Sequence, residues 1–375
     1  MLEAYLFPIS YAFLTFPIAA LLCAVPFLIV QYRKYGYFNK FRGFLLYLFL
    51  LYLLNAVYLV LLPLPASRHN APMDVSSVIQ WIPLNFIHDI VKETQVVLSE
   101  PGTYIHLIKE RAFLQVVFNI LLVVPFGMFL RYYARVNWRA CLVASFGLSL
   151  FFEVTQVTGI YGFYDHPYRL FDVDDLLTNT LGGMVGFVLA DWMKNHLPRM
   201  DRLDEKVDLS KKRVSYTRRA IAFGIDAMIT LPVIGIMSVV LNVKAAYFIV
   251  VILYYIVMPY MLEGQTVGKW IVRIRIQGQG EHLKLKEIII RNGLLYVVWG
   301  GIHALLITLS FPGSGFLYAL YVMGMLLIDG VVMVHLLLCL FNHERTLLHE
   351  AKSGTRQVIA EKRQPAAGRS EGKTV

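Results

Sequence analysis

Residues 169–186 read RLFDVDDLLTNTLGGMVG, so three carboxylates stand directly before an apolar run that carries one asparagine and three glycines. The apolar residues predict a membrane-spanning helix over 176–193. Asp172 is placed to cap this helix, and Asp174 and Asp175 fall in its first turn, where the helix dipole favours anions. Capping needs only one or two acids. The complete set therefore also predicts a functional polar site at this end of the helix.

The composition extends the membrane assignment to most of the chain. The 375 residues are 57% hydrophobic and 16% charged, with a mean hydropathy of +0.59, whereas an ordinary soluble domain carries about 25% charged residues. We predict an all-α polytopic membrane protein with about nine transmembrane helices, because several apolar runs approach the length that crosses hydrocarbon. The predicted spans are 6–30, 44–64, 112–130, 140–158, 176–193, 220–241, 245–262, 292–311 and 316–341.

Basic residues lie between the predicted spans and alternate with weakly charged or acidic connections. Basic clusters follow the first, third and fifth spans, whereas the connection at 159–175 is rich in aspartate. The positive-inside rule then places the N-terminus outside, the C-terminus in the cytoplasm and the acidic connection outside. We predict a multi-pass protein of the bacterial plasma membrane. This topology explains the formal net charge of +10, and no nucleic-acid partner is predicted.

Polar side chains share one face on each of two neighbouring predicted spans. Ser149, Glu153 and Gln156 are spaced for one helical face of the fourth span. The fifth span repeats this spacing at Asp175, Asn179, Gly182, Gly183 and Gly186. Glycines allow two helix backbones to approach closely, and asparagine or glutamine can hydrogen-bond across the seam. The two spans are therefore predicted to form an antiparallel hairpin with a polar seam.

Glu153 is the residue of this seam that most needs a partner. A carboxylate inside a span costs several kcal/mol unless it is paired, protonated or in contact with water. By depth, its predicted neighbours are Gln156, Asn179 and Asn119 of the third span, with Arg169 as a cation above them. Helix capping accounts for the aspartates but not for this glutamate, so Glu153 is the strongest indication of a functional site.

Ordered motifs in this part of the chain resemble the VanZ-like family. They are Asn119 with Pro125-Phe-Gly127, Ser149-Leu-Phe-Phe-Glu153-Val-Thr-Gln156, Arg169-Leu-Phe-Asp-Val-Asp-Asp175, Asn179-Thr-Leu-Gly-Gly183 and the earlier Trp81-Ile-Pro-Leu-Asn85. The resemblance covers about residues 45–195. It implies a link to glycopeptide resistance of the teicoplanin type, as in the founding member, with no settled biochemical activity for most other members.

The remaining chain divides around a charged connector. Residues 1–44 are predicted to form an N-terminal transmembrane helix with a basic loop, 196–213 a cytoplasmic connector, 214–360 a second membrane domain and 361–375 a disordered tail. Within the second domain, an alternating run at 272–276, glycines at 278 and 280, and a second alternating run predict a short cytoplasmic β-hairpin-like insert near 270–290.

The second membrane domain resembles the RDD family. Its matching residues are Arg219, Asp226, Gly268, Lys269, Arg291, His349 and Glu350. The family usually carries a His-Asp pair where this sequence has His349-Glu350, which keeps the charge but lengthens the side chain. Asp226 lies inside a span, where an ionisable residue indicates function, although a structural pairing with Arg219 is the simpler interpretation.

Three classes of function fit these residues. The first is an envelope protein whose external polar pocket engages membrane lipid, a peptidoglycan precursor or a lipoglycopeptide. The second is an ion or small-solute transporter that uses Asp226, Glu153 and the seam asparagines. The third is a membrane enzyme with a divalent metal ion that activates water.

Only the third class involves a cofactor, since the sequence indicates none other than a divalent cation. Its ligands would be Glu153, Asp172, Asp174 and Asp175, with His166 as an additional candidate. An oxygen-rich set favours Mg, Ca or Mn, but the motifs of common hydrolases are absent, so the prediction leans against an enzyme.

Overall fold

The computed structural model describes residues 2–73, 78–97, 99–200, 202–205, 207–242, 245–308, 315–342 and 346–360, with the side chains of 2–5 and 306–308 left undescribed. The chain separates into two compact units. The first comprises Met1–Ala24 and Asn39–Val207, and the second comprises Val25–Phe38 and Asp208–Val375. The predicted tail at 361–375 lies outside the described residues, and the predicted domain boundaries stay predictions.

The first unit is built from helices with one two-stranded parallel sheet. Its helices are α1 (Leu2–Tyr35), which continues into the second unit, α2 (Lys40–Leu61), α3 (Asn85–Glu93), α4 (Arg111–Phe129), α5 (Trp138–Val157), the single turn α6 (Gly159–Gly162) and α7 (Val173–Met193). A 3₁₀ helix covers Pro101–Lys109, and a π-helical turn, Leu130–Ala134, extends α4. Strand β1 (Ile79–Gln80) pairs with β2 (Phe171–Asp172).

Three side chains fix where helices of the first unit begin. Asn39 accepts hydrogen bonds from the first backbone N–H groups of α2, and Asn137 accepts one at the start of α5. Asp172 caps α7 by accepting from the N–H of Asp174 at 2.8 Å. These acceptors satisfy donors that the first helical turn leaves free. The cap predicted for Asp172 is therefore present in the structure.

The second unit combines interrupted helices with a two-stranded antiparallel sheet. Its helices are α8 (Tyr216–Gly235), α9 (Ala246–Val250), α10 (Met258–Met261), α11 (Val267–Ile271), α12 (Leu285–Asn292), α13 (Gly300–Thr308), α14 (Gly315–Phe341) and α15 (Leu348–Ser353). π-Helical segments follow α8 at Ile236–Val240, join α9 to α10 at Val251–Val257 and join α12 to α13 at Gly293–Trp299. The strands are β3 (Ile274–Gln277) and β4 (Arg356–Ile359).

Seven helices in the described residues are long and apolar enough to cross a membrane. They are Leu6–Tyr35, Lys40–Leu61, Arg111–Ala134, Trp138–Val157, Tyr216–Val240, Leu285–Leu305 and Gly315–Phe341. The prediction of an all-α polytopic membrane protein is confirmed. The remaining predicted spans correspond to α7, whose first turn is acidic, and to the shorter apolar helix Ala246–Met261, so the count of nine stays a prediction.

The predicted β-hairpin near 270–290 is wrong in its second half. Strand β3 is present, with Ile274 and Ile276 both buried, but its antiparallel partner is β4. Residues 285–292 form α12, because Glu287 accepts a hydrogen bond from the backbone N–H of Lys284 and so closes the first turn. The residues whose alternation predicted a second strand instead form a helix, and one face of this helix buries Ile288 and Arg291.

Helix α7 packs against α4 at backbone distance, through glycine. A Cβ added to Gly182 would lie 2.1 Å from the carbonyl oxygen of Ile120, and one added to Gly186 would lie 2.0 Å from that of Val124. The predicted docking of the glycine face against Glu153 and Gln156 is therefore wrong for these two positions. The stripe runs along a helix face, and the sequence did not indicate which neighbour that face meets.

Candidate functional site

Glu153 is buried near the C-terminal end of α5, where it holds the start of the acidic helix. Its side chain is 3% exposed, and Oε2 accepts a hydrogen bond of 3.0 Å from the backbone N–H of Asp172. It also interacts electrostatically with Asp175, Asp172 and Arg169. Partial burial, together with the nearby charge of Asp174, raises the pKa of Asp172. The glutamate therefore meets the acidic end of α7.

Asp174 fastens a surface segment to the same end of α7. Its Oδ1 accepts from the N–H of Leu84 at 2.6 Å, and its Oδ2 accepts from the N–H of Phe86 at 2.8 Å. Leu84 has a positive φ of 66°, a conformation that is uncommon for a residue with a branched side chain. The carboxylate thus holds the turn that begins α3, a role that the sequence did not indicate.

Asp175 and Asn179 form a second layer of contacts one turn deeper. Asn119 of α4 donates a short hydrogen bond to Oδ1 of Asp175, while Ser149 of α5 donates to the backbone carbonyl of Asp175 at 3.2 Å. Asn179 donates to the Ser149 hydroxyl at 3.0 Å. Its own carbonyl oxygen, Oδ1, is buried and has no hydrogen-bond donor among the described residues. This layer joins α4, α5 and α7.

Gln156 and Arg169 fasten the C-terminal end of α2 to the cluster. Gln156 donates to the carbonyl of Val60 at 2.7 Å, and Arg169 donates to the carbonyl of Leu62 at 2.7 Å. Phe152 packs beside them in an apolar group with Ala56 and Val60. The last turn of a helix leaves its carbonyls without partners inside the helix, and these two side chains supply donors there.

The predicted neighbours of Glu153 are only partly correct. Arg169 is electrostatically close, but the amides of Asn119, Gln156 and Asn179 donate to other acceptors. Asn179 donates to Ser149, four residues before Glu153 on the same helix, so predicted depth alone does not single out one acceptor. His166, the additional candidate metal ligand, contacts Asn70 through its backbone, whose N–H donates to the Asn70 side chain at 3.0 Å. Within the described ranges, no group of three or more His, Cys, Asp or Glu side chains is placed to hold a metal ion.

In the second unit, Asp226 of α8 is enclosed by donors. Tyr254 and the backbone N–H of Gly268 each donate to Oδ1 at 2.7 Å, and Thr266 donates to Oδ2 at 2.6 Å. A Cβ on residue 268 would lie 2.1 Å from the carbonyl of Ala222 and 2.8 Å from Oδ1 of Asp226. Gly268 is therefore required for this close approach. Arg219, the partner that the simpler interpretation gave Asp226, pairs with Glu350 instead.

Glu350 of α15 lies between two arginines. Arg291 donates to Oε1 at 2.8 Å, and Arg219 donates to Oε1 and Oε2 at 3.0 and 3.1 Å. Arg291 also donates to the hydroxyl of Thr355 at 2.7 Å. Burial opposes ionisation of Glu350, but the two guanidinium groups outweigh it and lower the pKa of the carboxyl. The longer acid therefore spans both arginines.

Lys269 and His349 are two titratable groups beside this clamp. Burial lowers the pKa of Lys269 to about 8, although Asp226 favours the charged ammonium. Burial also lowers the pKa of His349 to about 4, and the charge of Arg291 acts in the same direction. Both predicted residues are thus close to the arginine–glutamate clamp, with His349 neutral at pH 7.

Two residues that the sequence reasoning left out also hold the second unit together. The buried guanidinium of Arg218 donates to the carbonyls of Val272, Gly36 and Arg273 at 2.7, 2.7 and 2.9 Å. Asn292 donates a short hydrogen bond to the carbonyl of Tyr255. Both residues lie at or just before the start of a predicted span, and this position is the feature of the sequence that could have indicated them.

Family models match the two halves of the chain in the predicted order. The VanZ/LLP1 model matches residues 49–194, and the RDD family model matches residues 213–349. The chain is a fusion of a VanZ-like segment and an RDD segment. No curated protein and no solved structure matches the chain. All nine residues of the predicted polar cluster lie in the VanZ-like match, whereas the RDD match ends one residue before Glu350.

The RDD segment should lose stability as the pH falls from about 6.5 towards 4. An unfolded histidine takes up a proton below a pKa of about 6.5, whereas His349 in the folded chain does so only near 4. Acid therefore favours the unfolded state, by on the order of 2 kcal/mol across this window. Glu350, whose folded pKa is lowered, adds to the loss only below its unfolded value of about 4.5.

The measurement is thermal unfolding of the purified protein between pH 7.5 and 5, compared with a His349→Gln variant. The variant should show a shallower loss of melting temperature between pH 6.5 and 5. Parallel curves for the two proteins would contradict a neutral buried His349.

Proposed function

We propose that the VanZ-like segment binds the head of an amphiphilic envelope molecule at the outer leaflet of a bacterial plasma membrane. The ligand class is a membrane lipid, a lipid-linked peptidoglycan precursor or a lipoglycopeptide. The observation that carries the proposal is the buried carboxylate of Glu153, which one backbone N–H holds beside two further carboxylates. Asp172 alone caps the start of α7, so capping does not explain why Glu153 is buried beside it.

The carboxylates leave acceptor atoms for such a ligand. Oε1 of Glu153, Oδ2 of Asp172 and Oδ2 of Asp175 accept no hydrogen bond from the described part of the chain. These oxygens can accept from the hydroxyl, amide or ammonium donors of a polar head. Arg169 adds a cation that can pair with a phosphate or carboxylate of the same ligand. The cluster thus suits a head that carries both donors and an anion.

The segment held by Asp174 supplies an apolar surface beside the cluster. Trp81, Ile82 and Val91 are each at least two-thirds exposed, and apolar residues group on one side of α3. Exposed aromatic and aliphatic side chains of this kind favour the membrane–water interface. This surface supports an amphiphilic ligand, because it places apolar contacts next to the polar acceptors.

Glu153→Gln should abolish any lipoglycopeptide resistance that the protein gives to a sensitive bacterial host. The amide keeps the size of the side chain and an oxygen that can accept from the N–H of Asp172, but it removes the negative charge. We expect the inhibitory concentration to return to that of the host without the protein, while the amount of protein in the membrane is unchanged.

Asp191→Asn is the matched control, because Asp191 lies at the other end of α7 and pairs with Arg131 at 2.6 Å. This variant should retain resistance. Unchanged resistance in Glu153→Gln would overturn the proposal. Equal loss in both variants would also count against it, since helix damage rather than the cluster would then be responsible.

Transport and metal-dependent catalysis stay predictions. For transport, cation flux into liposomes should depend on Asp226, yet both oxygens of that carboxylate already accept hydrogen bonds from the chain. For catalysis, added Mn should raise the melting temperature of the wild type more than that of an Asp172, Asp174 double variant. Absence of cation flux would exclude transport, and equal shifts of the melting temperature in the two proteins would exclude a metal ion at this site.

A further inference from the structure

A His–Asp pair lies in the apolar helices of the second unit, here also called the RDD unit because the RDD match falls within it. The pair is separate from the motif residues described above. His303 belongs to the span Leu285–Leu305, and Asp329 lies in the interior of α14. Asp329 is about 20 Å along the helix axis from either end of α14, at 1.5 Å per residue. Ionisable side chains are costly at such positions and indicate function by default.

Three contacts define the geometry of the pair. Nε2 of His303 lies 3.2 Å from Oδ2 of Asp329, and Nδ1 of the same ring lies 2.8 Å from the carbonyl oxygen of Trp299. The indole N–H of Trp299 donates to Oδ1 of Asp329 at 3.0 Å. Trp299 therefore contacts both members of the pair, the histidine through its backbone and the aspartate through its side chain.

These contacts determine how many protons the pair holds. A carbonyl oxygen cannot donate, so the hydrogen bond to Trp299 requires a proton on Nδ1 of His303. The contact between Nε2 and Oδ2 then requires one more proton, carried either by the imidazole or by the carboxyl group. Without it, a nitrogen lone pair would face a carboxylate oxygen, and an unpaired negative charge would remain in an apolar span.

We propose that His303 and Asp329 form a proton-binding site in the membrane part of the RDD unit, with one proton shared between Nε2 and Oδ2. Binding converts neutral histidine and aspartate anion into a pair with no net charge, and release returns one proton to water. Trp299 positions both groups and does not itself exchange the proton.

The surroundings of the pair leave the shared proton unenclosed and allow it to set the charge of the site. The side chains of His303 and Asp329 are 33% and 39% exposed, so the shared proton is not enclosed by the chain. Their electrostatic partners among the described residues are each other and Trp299. Among the other titratable side chains of α14, Tyr321 donates to the carbonyl of Ile302 at 3.2 Å, and His335 accepts from the backbone N–H of Leu348 at 3.1 Å. No other described charge would neutralise Asp329 when the proton leaves.

The test is nitrogen NMR of the full-length protein in lipid nanodiscs, with ¹⁵N-labelled histidine and the His303 signal assigned by loss in His303→Gln. The nine other histidines of the ten in the chain provide internal references. At pH 7 we expect either a doubly protonated His303 ring or, in the infrared spectrum, a protonated carboxyl stretch that disappears in Asp329→Asn. Asp329→Asn should also convert a doubly protonated ring to a neutral one.

A neutral His303 ring together with an ionised Asp329 at pH 7 would overturn the proposal. Trp299→Phe separates proton binding from packing, because it removes the indole donor but keeps the backbone carbonyl. This variant should retain the shared proton, because the imidazole, the carboxyl group and the carbonyl that holds Nδ1 all remain. If Asp329→Asn does not fold, the carboxyl stretch in His303→Gln gives the same decision, since loss of the imidazole must change that band.

Discussion

Replacing Glu350 with alanine should lower the free energy of unfolding of the RDD unit by about 3–5 kcal/mol, because a buried guanidinium would lose its carboxylate. Arg291 is 2% exposed, and its one remaining hydrogen bond to the described residues would be that to Thr355. Arg219 is less buried, so the loss of its contact with Glu350 adds less to the destabilisation. The expected effect is large because the guanidinium charge that remains buried has no partner. It does not depend on how much the intact ion pair contributes to stability.

Hydrogen exchange of the purified protein, read by mass spectrometry over α12, α15 and β4, would measure this loss locally. Glu350→Asp should give an intermediate effect, because the shorter side chain can contact one guanidinium but cannot span both. Lys352→Ala, at an exposed position of the same helix, is the matched control and should leave protection unchanged. Full protection in Glu350→Ala would show that the arginines are satisfied without the carboxylate.

Substituting alanine for Gly182 and Gly186 together should destabilise the VanZ-like unit by several kcal/mol. Each added Cβ would lie about 2 Å from a backbone carbonyl of α4, and overpacking of a tight contact costs roughly 1–3 kcal/mol per site. A carbonyl in a helix cannot move aside as a flexible side chain can. The two helices must therefore separate along their length.

Gly147→Ala is the control for this pair, because an added Cβ on that exposed residue of α5 meets nothing within 4 Å. Alanine is the better helix former, so this variant should be neutral or slightly more stable. Thermal unfolding in lipid nanodiscs would compare the three proteins. A double variant as stable as Gly147→Ala would contradict the close packing of α4 and α7.

Length and composition were sufficient to predict a helical membrane protein, because the need to satisfy backbone groups in lipid leaves few alternatives. The cap at Asp172 and the burial of Glu153 also follow from local spacing. The partners were harder to predict. Gln156 and Arg169 bind carbonyls at the end of α2, and a carbonyl that accepts a hydrogen bond leaves no mark on the sequence.

The same limit explains the missed residues of the second unit. Arg218 and Arg219 are adjacent in the sequence, yet Arg218 donates to the carbonyls of Val272 and Arg273 whereas Arg219 donates to Glu350. The predicted second strand of the hairpin failed for a related reason. Alternation indicates that a segment is extended, whereas its partner is set by tertiary structure.

The pairing of β3 with β4 also sets an order of events during synthesis. β3 is completed before α12, α13 and α14 exist, and its partner emerges only about 80 residues later, after the last apolar helix. Until then, the edge of β3 that pairs with β4 has no strand partner. A chain leaving the ribosome must therefore insert its last helices before the sheet can close. The two-stranded sheet of the second unit can therefore close only once residues 356–359 have been synthesised.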